Sequence, residues 1–193
     1  MKRKPKQDMS NQVRIIGGTH RSRLIRFPAL EGLRPTGDRI RETLFNWLQD
    51  QIAGSRCLDL FAGSGALGIE ALSRGATFAQ FVEYNREAAE AIKTNLDVLG
   101  IGQGEVSHSS AEDWLPSTQR MEPFDVVFLD PPFAEQKLTA ICESLASSQC
   151  VQPGTLVYIE NGEEVDAQQL PDNWSQIKQK KGGHVSFYLF EVE

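Results

Sequence analysis

The sequence predicts an α/β fold built on a doubly wound, mostly parallel sheet of seven strands. Three observations carry the prediction. Apolar, β-prone runs alternate with helical-period segments from residue 56 to residue 160, and helices of this length between strands imply right-handed crossovers. A glycine-spaced turn separates the first of these strands from the first of these helices. The closing segment, "SQIKQKKGGHVSFYLFEVE", holds two β-prone runs around Gly182-Gly183, which reads as a hairpin and makes the last strand antiparallel.

Each element has its own signal. "VRIIGGTHRSRLIRF" contains two β-prone segments, Val13–Ile16 and Leu24–Phe27, around a Gly-Gly turn and an arginine-rich connection, which predicts a small N-terminal hairpin. In "LRPTGDRIRETLFNWLQDQI", Pro35-Thr36-Gly37-Asp38 reads as a turn and helix cap. Ile40, Leu44, Phe45, Leu48 and Ile52 then recur at helical spacing. "RCLDLF" is a strand, "GALGIEALSRG" a helix, "FAQFVEY" a strand and "NREAAEAIKTNLDVLG" a helix. "GEVSHS" is a short strand and "FDVVFLD" a buried one; "EQKLTAICESLASSQ" is a helix, and "GTLVYIE" a further strand.

Composition narrows the class. At 193 residues, 40% hydrophobic and 24% charged, the chain suits one soluble α/β domain with a small appendage. No apolar run approaches a membrane span and the basic start lacks an apolar core, so neither membrane insertion nor a signal peptide is expected. Cys57, Cys142 and Cys150 lack metal-type spacing and read as reduced thiols of a cytoplasmic protein. His20, His108 and His184 form no ligand pattern, so no metal is expected. The net charge of −6 conceals a division: residues 1–42 hold 11 Lys/Arg against 4 Asp/Glu, and residues 43–193 hold 9 against 22. A basic arm on an acidic body implies a polyanionic partner. On the hairpin, Arg14, Arg21, Arg23 and Arg26 can project toward phosphates, which the planar guanidinium binds bidentately.

Two motifs carry chemistry. In "LDLFAGSGALGIEAL", Gly63-x-Gly65-x-x-Gly68 lies between strand and helix, where a ligand approaches backbone amides, and Glu83 ends the next strand, placed for ribose hydroxyls. A dinucleotide-dependent oxidoreductase shares this pattern. Against it, Asp59 precedes the loop, where a carboxylate repels a pyrophosphate but attracts an ammonium or sulfonium. A long segment containing a helix also precedes the first sheet strand. The second motif is "VVFLDPPF", a buried strand that breaks off at Asp130, Pro131, Pro132 and Phe133. Proline ends a strand by fixing φ and removing a donor, so these residues also serve as a plain terminator.

Together, Asp59-Leu-Phe-Ala-Gly63-Ser-Gly65, Glu83 and Asp130-Pro-Pro-Phe133 resemble the motifs of S-adenosylmethionine-dependent methyltransferases, the last being typical of enzymes that modify an exocyclic amine of a nucleobase. More narrowly, "RIIGGTHRSRLIRFP", "GLRPTGDRIRETLFNWL", "CLDLFAGSGALGIEALSRGA", "FLDPPF" and "GGHVSFYLF" resemble the RsmD family of 16S rRNA guanine-N2 methyltransferases over nearly the full length. The resemblance implies a Rossmann-like class I methyltransferase fold over residues 35–193, with residues 1–34 as a basic arm and hairpin contacting RNA. It implies S-adenosyl-L-methionine as cofactor, held by Asp59, Phe61, Ala62, Gly63, Ser64, Gly65, Glu83 and Tyr84, with Ser110 and Ala111 bordering the adenine. Ser110-Ala111 stands where the class often has an acidic residue or asparagine before a small one, which leaves a backbone contact to the adenine.

The implied reaction accounts for the abrupt end of the 126–129 strand. A guanine amine is a poor nucleophile because its lone pair is delocalised into the ring. The Asp130 carboxylate and the Pro131 carbonyl would accept its two N–H bonds, Pro132 would hold that carbonyl outward, and Phe133 would stack on the base. Arg34, Thr36 and Arg39, with Asp38, belong to the block most particular to the family and are expected near the cofactor or the flipped nucleotide. The implied partner is 16S rRNA at guanine 966, in the small subunit or an assembly intermediate, and the enzyme is expected to be a monomer. A DNA adenine-amino methyltransferase shares the Asp-Pro-Pro-aromatic motif, though no separate target-recognition domain is visible. A non-catalytic rRNA-binding assembly factor is the third reading, against which the intact Asp130, Pro131 and Phe133 count.

Overall fold

The computed structural model describes residues 11–30, 33, 35–118, 121–131, 135–162 and 164–193, with residues 135–137 described by their backbone. A two-stranded antiparallel hairpin, β1 (Asn11–Arg14) and β2 (Leu24–Phe27), opens the chain and is followed by α1 (Asp38–Trp47). Then come β3 (Arg56–Asp59), α2 (Ala66–Ser73), β4 (Phe78–Glu83), α3 (Arg86–Leu99) and β5 (Gly104–His108). After the short α4 (Ala111–Trp114) follow β6 (Val126–Leu129), α5 (Glu135–Ala146), β7 (Leu156–Asn161), β8 (Trp174–Gly182) and β9 (Val185–Val192). The seven-stranded sheet has the order β5-β4-β3-β6-β7-β9-β8. Strands β3 to β7 pair in parallel, and β9 runs antiparallel between β7 and β8. The expected doubly wound sheet with an antiparallel last strand and an N-terminal hairpin is therefore what the chain forms.

Alternation along the strands divides the core between the two faces of the sheet. Cys57, Phe81, Phe128, Tyr158 and Phe187 meet Leu44, Phe45 and Leu48 of α1 and Val13, Ile15, Ile25 and Phe27 of the hairpin. Leu58, Val82, Val127, Leu129 and Ile159 point the other way and pack with Leu138, Ile141, Cys142 and Leu145 of α5. Strand β6 is buried at every residue, as its unbroken apolar run requires. All three cysteines are buried free thiols, and burial pushes Cys57 and Cys142 up to about 12, which makes them unreactive.

Two helices begin in contrasting ways. The N-cap of α1 is Gly37, which has no side chain to bond the first amides, and Asp38 instead pairs with Arg41 at 2.6 Å. Helix α4 is too short for a periodic signal; Ser110 caps it by accepting from the Asp113 amide at 3.1 Å.

The hairpin is anchored by buried polar groups. Glu70 of α2, with no solvent exposure, accepts from the amides of Ile16 and Gly17 at 2.8 and 2.7 Å and pairs with Arg74 at 2.8 Å and Arg41 at 3.3 Å. Arg41, itself buried, also donates to the carbonyls of Thr36 at 3.1 Å and Arg14 at 2.9 Å. The following turn lies on the end of α2: the Thr19 amide donates to the Ser73 carbonyl at 2.7 Å and the Ser73 hydroxyl to the Gly17 carbonyl at 2.6 Å. A side chain at Gly18 would sit 1.7 Å from that Ser73 carbonyl oxygen, so this docking requires glycine. Asn95 of α3 exchanges both of its amide hydrogen bonds with the backbone of Arg26, like an added ladder rung. The Gly-Gly pair thus serves as a docking surface as well as a connection.

Candidate active site

The chain runs β3 to β4 to β5 on one side of the sheet, then returns to lay β6 against the other flank of β3. Strand order reverses between β3 and β6, and in open α/β sheets ligands bind beyond the carboxyl ends of the strands at such a reversal. The two motif-bearing loops, residues 60–65 after β3 and the segment beginning at Asp130 after β6, flank this point.

The glycine turn is held from two sides. Its Ala62 amide donates to the Val82 carbonyl at 3.0 Å, and Glu83 Oε2 accepts from the Gly63 amide at 2.7 Å while Oε1 accepts from the Asn85 amide at 2.7 Å. Asp59 Oδ2 accepts from the Gly68 amide at 3.0 Å, which satisfies one of the orphan donors in the first turn of α2. A Cβ on Gly68 would stand 2.3 Å from the Phe81 ring, so the third glycine of the motif lets the helix lie against the sheet.

Beyond the turn lies a row of acids. Asp59 and Cys57 share a strand face, as do Glu83 and Phe81, Asp130 and Phe128, and Glu160 and Tyr158, and the second member of each pair belongs to the same core cluster. Carboxyl groups therefore gather on one face at the carboxyl ends of four neighbouring parallel strands, in the order Glu83, Asp59, Asp130, Glu160. None of the four forms an ion pair with lysine or arginine among the described residues. Burial, reinforced by Glu83, pushes Asp59 from its ordinary 3.8 up to about 7, although the Gly68 amide opposes the shift. Burial also pushes Asp130 well above the usual carboxylate range, with the neighbouring Glu160 and Asp59 adding to it. Glu83 and Glu160 are raised by burial as well. Asp130 remains partly exposed, and the buried Thr36 hydroxyl donates to its Oδ2 at 3.4 Å.

The other predicted residues distribute around this row. Phe61 and Gly63 are half-buried, Ala62, Ser64 and Gly65 are buried, and Tyr84 is exposed. Ser110 and Ala111 begin α4, just past the end of β5. Pro131 is buried beside Asp130, whereas Pro132, Phe133 and Arg34 lie outside the described residues. Arg14, Arg21, Arg23, Arg26 and Arg39 are all exposed. Arg14, Arg21 and Arg39 line one surface groove of about 310 Å³ between the hairpin and α1. Sequence reasoning missed Glu160 and Arg41. Glu160 ends a β-prone run as Asp130 does, a parallel that could have drawn notice, whereas Arg41 sits among the charged residues of an amphipathic helix and sends no signal.

Row and turn suit a cationic, ribose-bearing ligand. Unpaired carboxyls repel a pyrophosphate and favour ammonium and sulfonium groups, and each oxygen of Glu83 keeps a lone pair beyond the one its amide partner uses. The residues present therefore fit S-adenosylmethionine.

Comparison with known proteins agrees. The profile of the family described as Conserved hypothetical protein 95 matches residues 13–191. The chain is 44% identical to Ribosomal RNA small subunit methyltransferase D of Haemophilus influenzae, covering 99% of this chain and 100% of that one. It is 41% identical to the protein of the same name from Escherichia coli, covering 99% and 96%. The solved structure of yhhF from Escherichia coli superposes with a TM-score of 0.86 at 42% identity, over 95% of this chain and 99% of that chain. An RNA methyltransferase from Salinibacter ruber in complex with S-adenosyl-L-homocysteine shares the fold, with a TM-score of 0.65 at 14% identity over 82% of this chain and 94% of that chain.

Proposed function

The chain belongs to the Conserved hypothetical protein 95 family of S-adenosylmethionine-dependent methyltransferases, and on that premise we propose that it methylates the exocyclic N2 amine of a guanine in small-subunit ribosomal RNA. The observation that carries the reading is the partly exposed carboxyl of Asp130 at the strand-order reversal, next to the glycine turn, with no lysine or arginine paired to it among the described residues. The relatives' name supplies the class of RNA; the family resemblance supplies guanine 966 of 16S rRNA as the target.

When bound, S-adenosylmethionine supplies a sulfonium-activated methyl group whose C–S electron pair stays with sulfur. Gly63 and Gly65 would border its methionine and ribose portions, Asp59 would favour its ammonium end and Glu83 its ribose, with Phe61, Tyr84, Ser110 and Ala111 completing the surround. The chain's own work is done on the amine. Asp130 accepts one N–H and the Pro131 carbonyl the other, which localises the nitrogen lone pair, and Phe133 holds the base in plane. Asp130 then takes the proton released from nitrogen. Burial, with Glu160 and Asp59 beside it, raises the proton affinity of Asp130, which favours that transfer. Alignment of the reacting atoms can supply about 7–11 kcal/mol of the barrier reduction. Arg14, Arg21, Arg23, Arg26 and Arg39 engage RNA phosphates, as residues 1–34 together form the basic contact arm.

Incubation with methyl-labelled S-adenosylmethionine and either undermethylated rRNA or DNA, followed by digestion to nucleosides, tests the proposal. Label in N2-methylguanosine is expected. Label in methyladenine of DNA, or label in neither nucleic acid, would replace it with the DNA-modifying or the non-catalytic reading.

A further inference from the structure

Glu160 has no part in the reaction as described. It is 7% exposed, is the penultimate residue of β7, and accepts from the Tyr158 hydroxyl at 2.9 Å. Pairing of Leu129 with Ile159, on strands spaced about 4.8 Å apart, puts Asp130, just past the end of β6, next to Glu160. Their side chains share a face, and the Thr36 hydroxyl donates to Asp130 Oδ2 at 3.4 Å. A structural role alone would not require an acid here. A glutamine at this position would accept from Tyr158 equally well, without placing a second buried carboxyl beside Asp130. The acid is the costlier choice, at a strand end that adjoins the proposed target base, and such a cost is met at functional sites.

Resting on the guanine-N2 reading, we propose that Glu160 accepts the N1–H of the target guanine, so that Asp130 and Glu160 together read the two adjacent donors of its Watson–Crick edge. Guanine presents an N–H at ring position 1 beside its exocyclic amine. Adenine presents an unprotonated ring nitrogen beside its amine, and two facing acceptors repel. Glu160 is thus a specificity-determining residue: it admits guanine and rejects purines whose N1 bears no proton. The fourth carboxyl of the row serves the base, as Asp59 and Glu83 serve the donor.

2-Aminopurine separates this role from a structural one, because it keeps the C2 amine and lacks the N1 proton. The full-length protein is assayed on its RNA substrate carrying guanine or 2-aminopurine at the methylated position. Wild type should favour guanine by about tenfold or more in kcat/KM, since an acceptor facing an acceptor is left unpaired. In Glu160→Gln the amide can donate to the bare nitrogen, so activity on guanine should fall at least about tenfold while activity on 2-aminopurine holds or rises. Donor affinity should stay within about twofold of wild type. Equal loss on both bases would overturn the proposal, as would a wild-type enzyme indifferent to the substitution, a result that needs no variant to fold. Failure of the guanine-N2 reading looks different: wild type would transfer no methyl group to guanine at all, and both readings would fall together.

Discussion

Two buried polar clusters lie on either side of Thr36 and are built on opposite terms. At the hairpin anchor, Glu70 meets two guanidinium groups and two backbone amides, so its charge is fully answered. Along the row Glu83, Asp59, Asp130 and Glu160, no lysine or arginine among the described residues pairs with any carboxyl, and all four are raised. Compensated charge holds two elements together; uncompensated charge waits for a ligand that carries the missing sign. Thr36 touches both, through its carbonyl to Arg41 and its hydroxyl to Asp130, so the anchor also positions the site.

The sharpest way to break this contrast is to delete one member of the row. Asp130→Ala should lower turnover by about 10²–10⁴-fold, with donor affinity nearly unchanged and thermal stability equal or higher; a variant that keeps most of its activity would remove the row from the chemistry. On the proposed mechanism Asp130 must be ionised to accept a proton, so kcat/KM should climb with rising pH through the raised pKa, and rate profiles would show that limb.

Next comes the pH dependence of stability without donor. Asp59 ionises near 3.8 when unfolded and near 7 when folded, so between those values the folded state binds more protons and stability falls as pH rises. The loss on going from pH 4 to pH 8 should be on the order of 4 kcal/mol for this group alone. Asp59→Asn should flatten the curve in denaturant titrations, and saturating S-adenosylmethionine should flatten the wild-type curve. The anchor should behave oppositely: Arg41→Met takes one cation from buried Glu70 and should cost about 3 kcal/mol in urea unfolding, partly restored by Glu70→Gln. Smallest is the effect of the exposed arginines. Replacing Arg21 and Arg23 should weaken RNA binding and reduce the slope of log affinity against log salt by about two, leaving fold and donor affinity intact.

Most of the fold could be read from the chain because its signals are local. The strand containing Asp59, the helix opening at Gly65, the helix that follows Asn85 and the Gly182-Gly183 hairpin each depend on periodicity and turn chemistry within a few residues. The Pro35-Thr36-Gly37-Asp38 turn caps α1 as expected, through Gly37, though a turn signal does not say which residue's side chain will satisfy the amides. The glycine turn, Asp130 and the exposed arginines were legible in the same local way. Arg41 was not, since nothing near it in sequence announces that the hairpin carbonyl of Arg14 and the Glu70 carboxylate will surround it.

By itself, then, the sequence determined the order and type of the elements and the two motif-bearing loops, because backbone preference and hydrophobic period act over one or two turns. Only the tertiary structure decided that four carboxyls stand side by side, that Glu160 joins Asp130, and that a buried arginine ties the hairpin to the site. Strand order and register bring together residues far apart in the chain, and burial sets the cost of a charge only once its surroundings have closed around it.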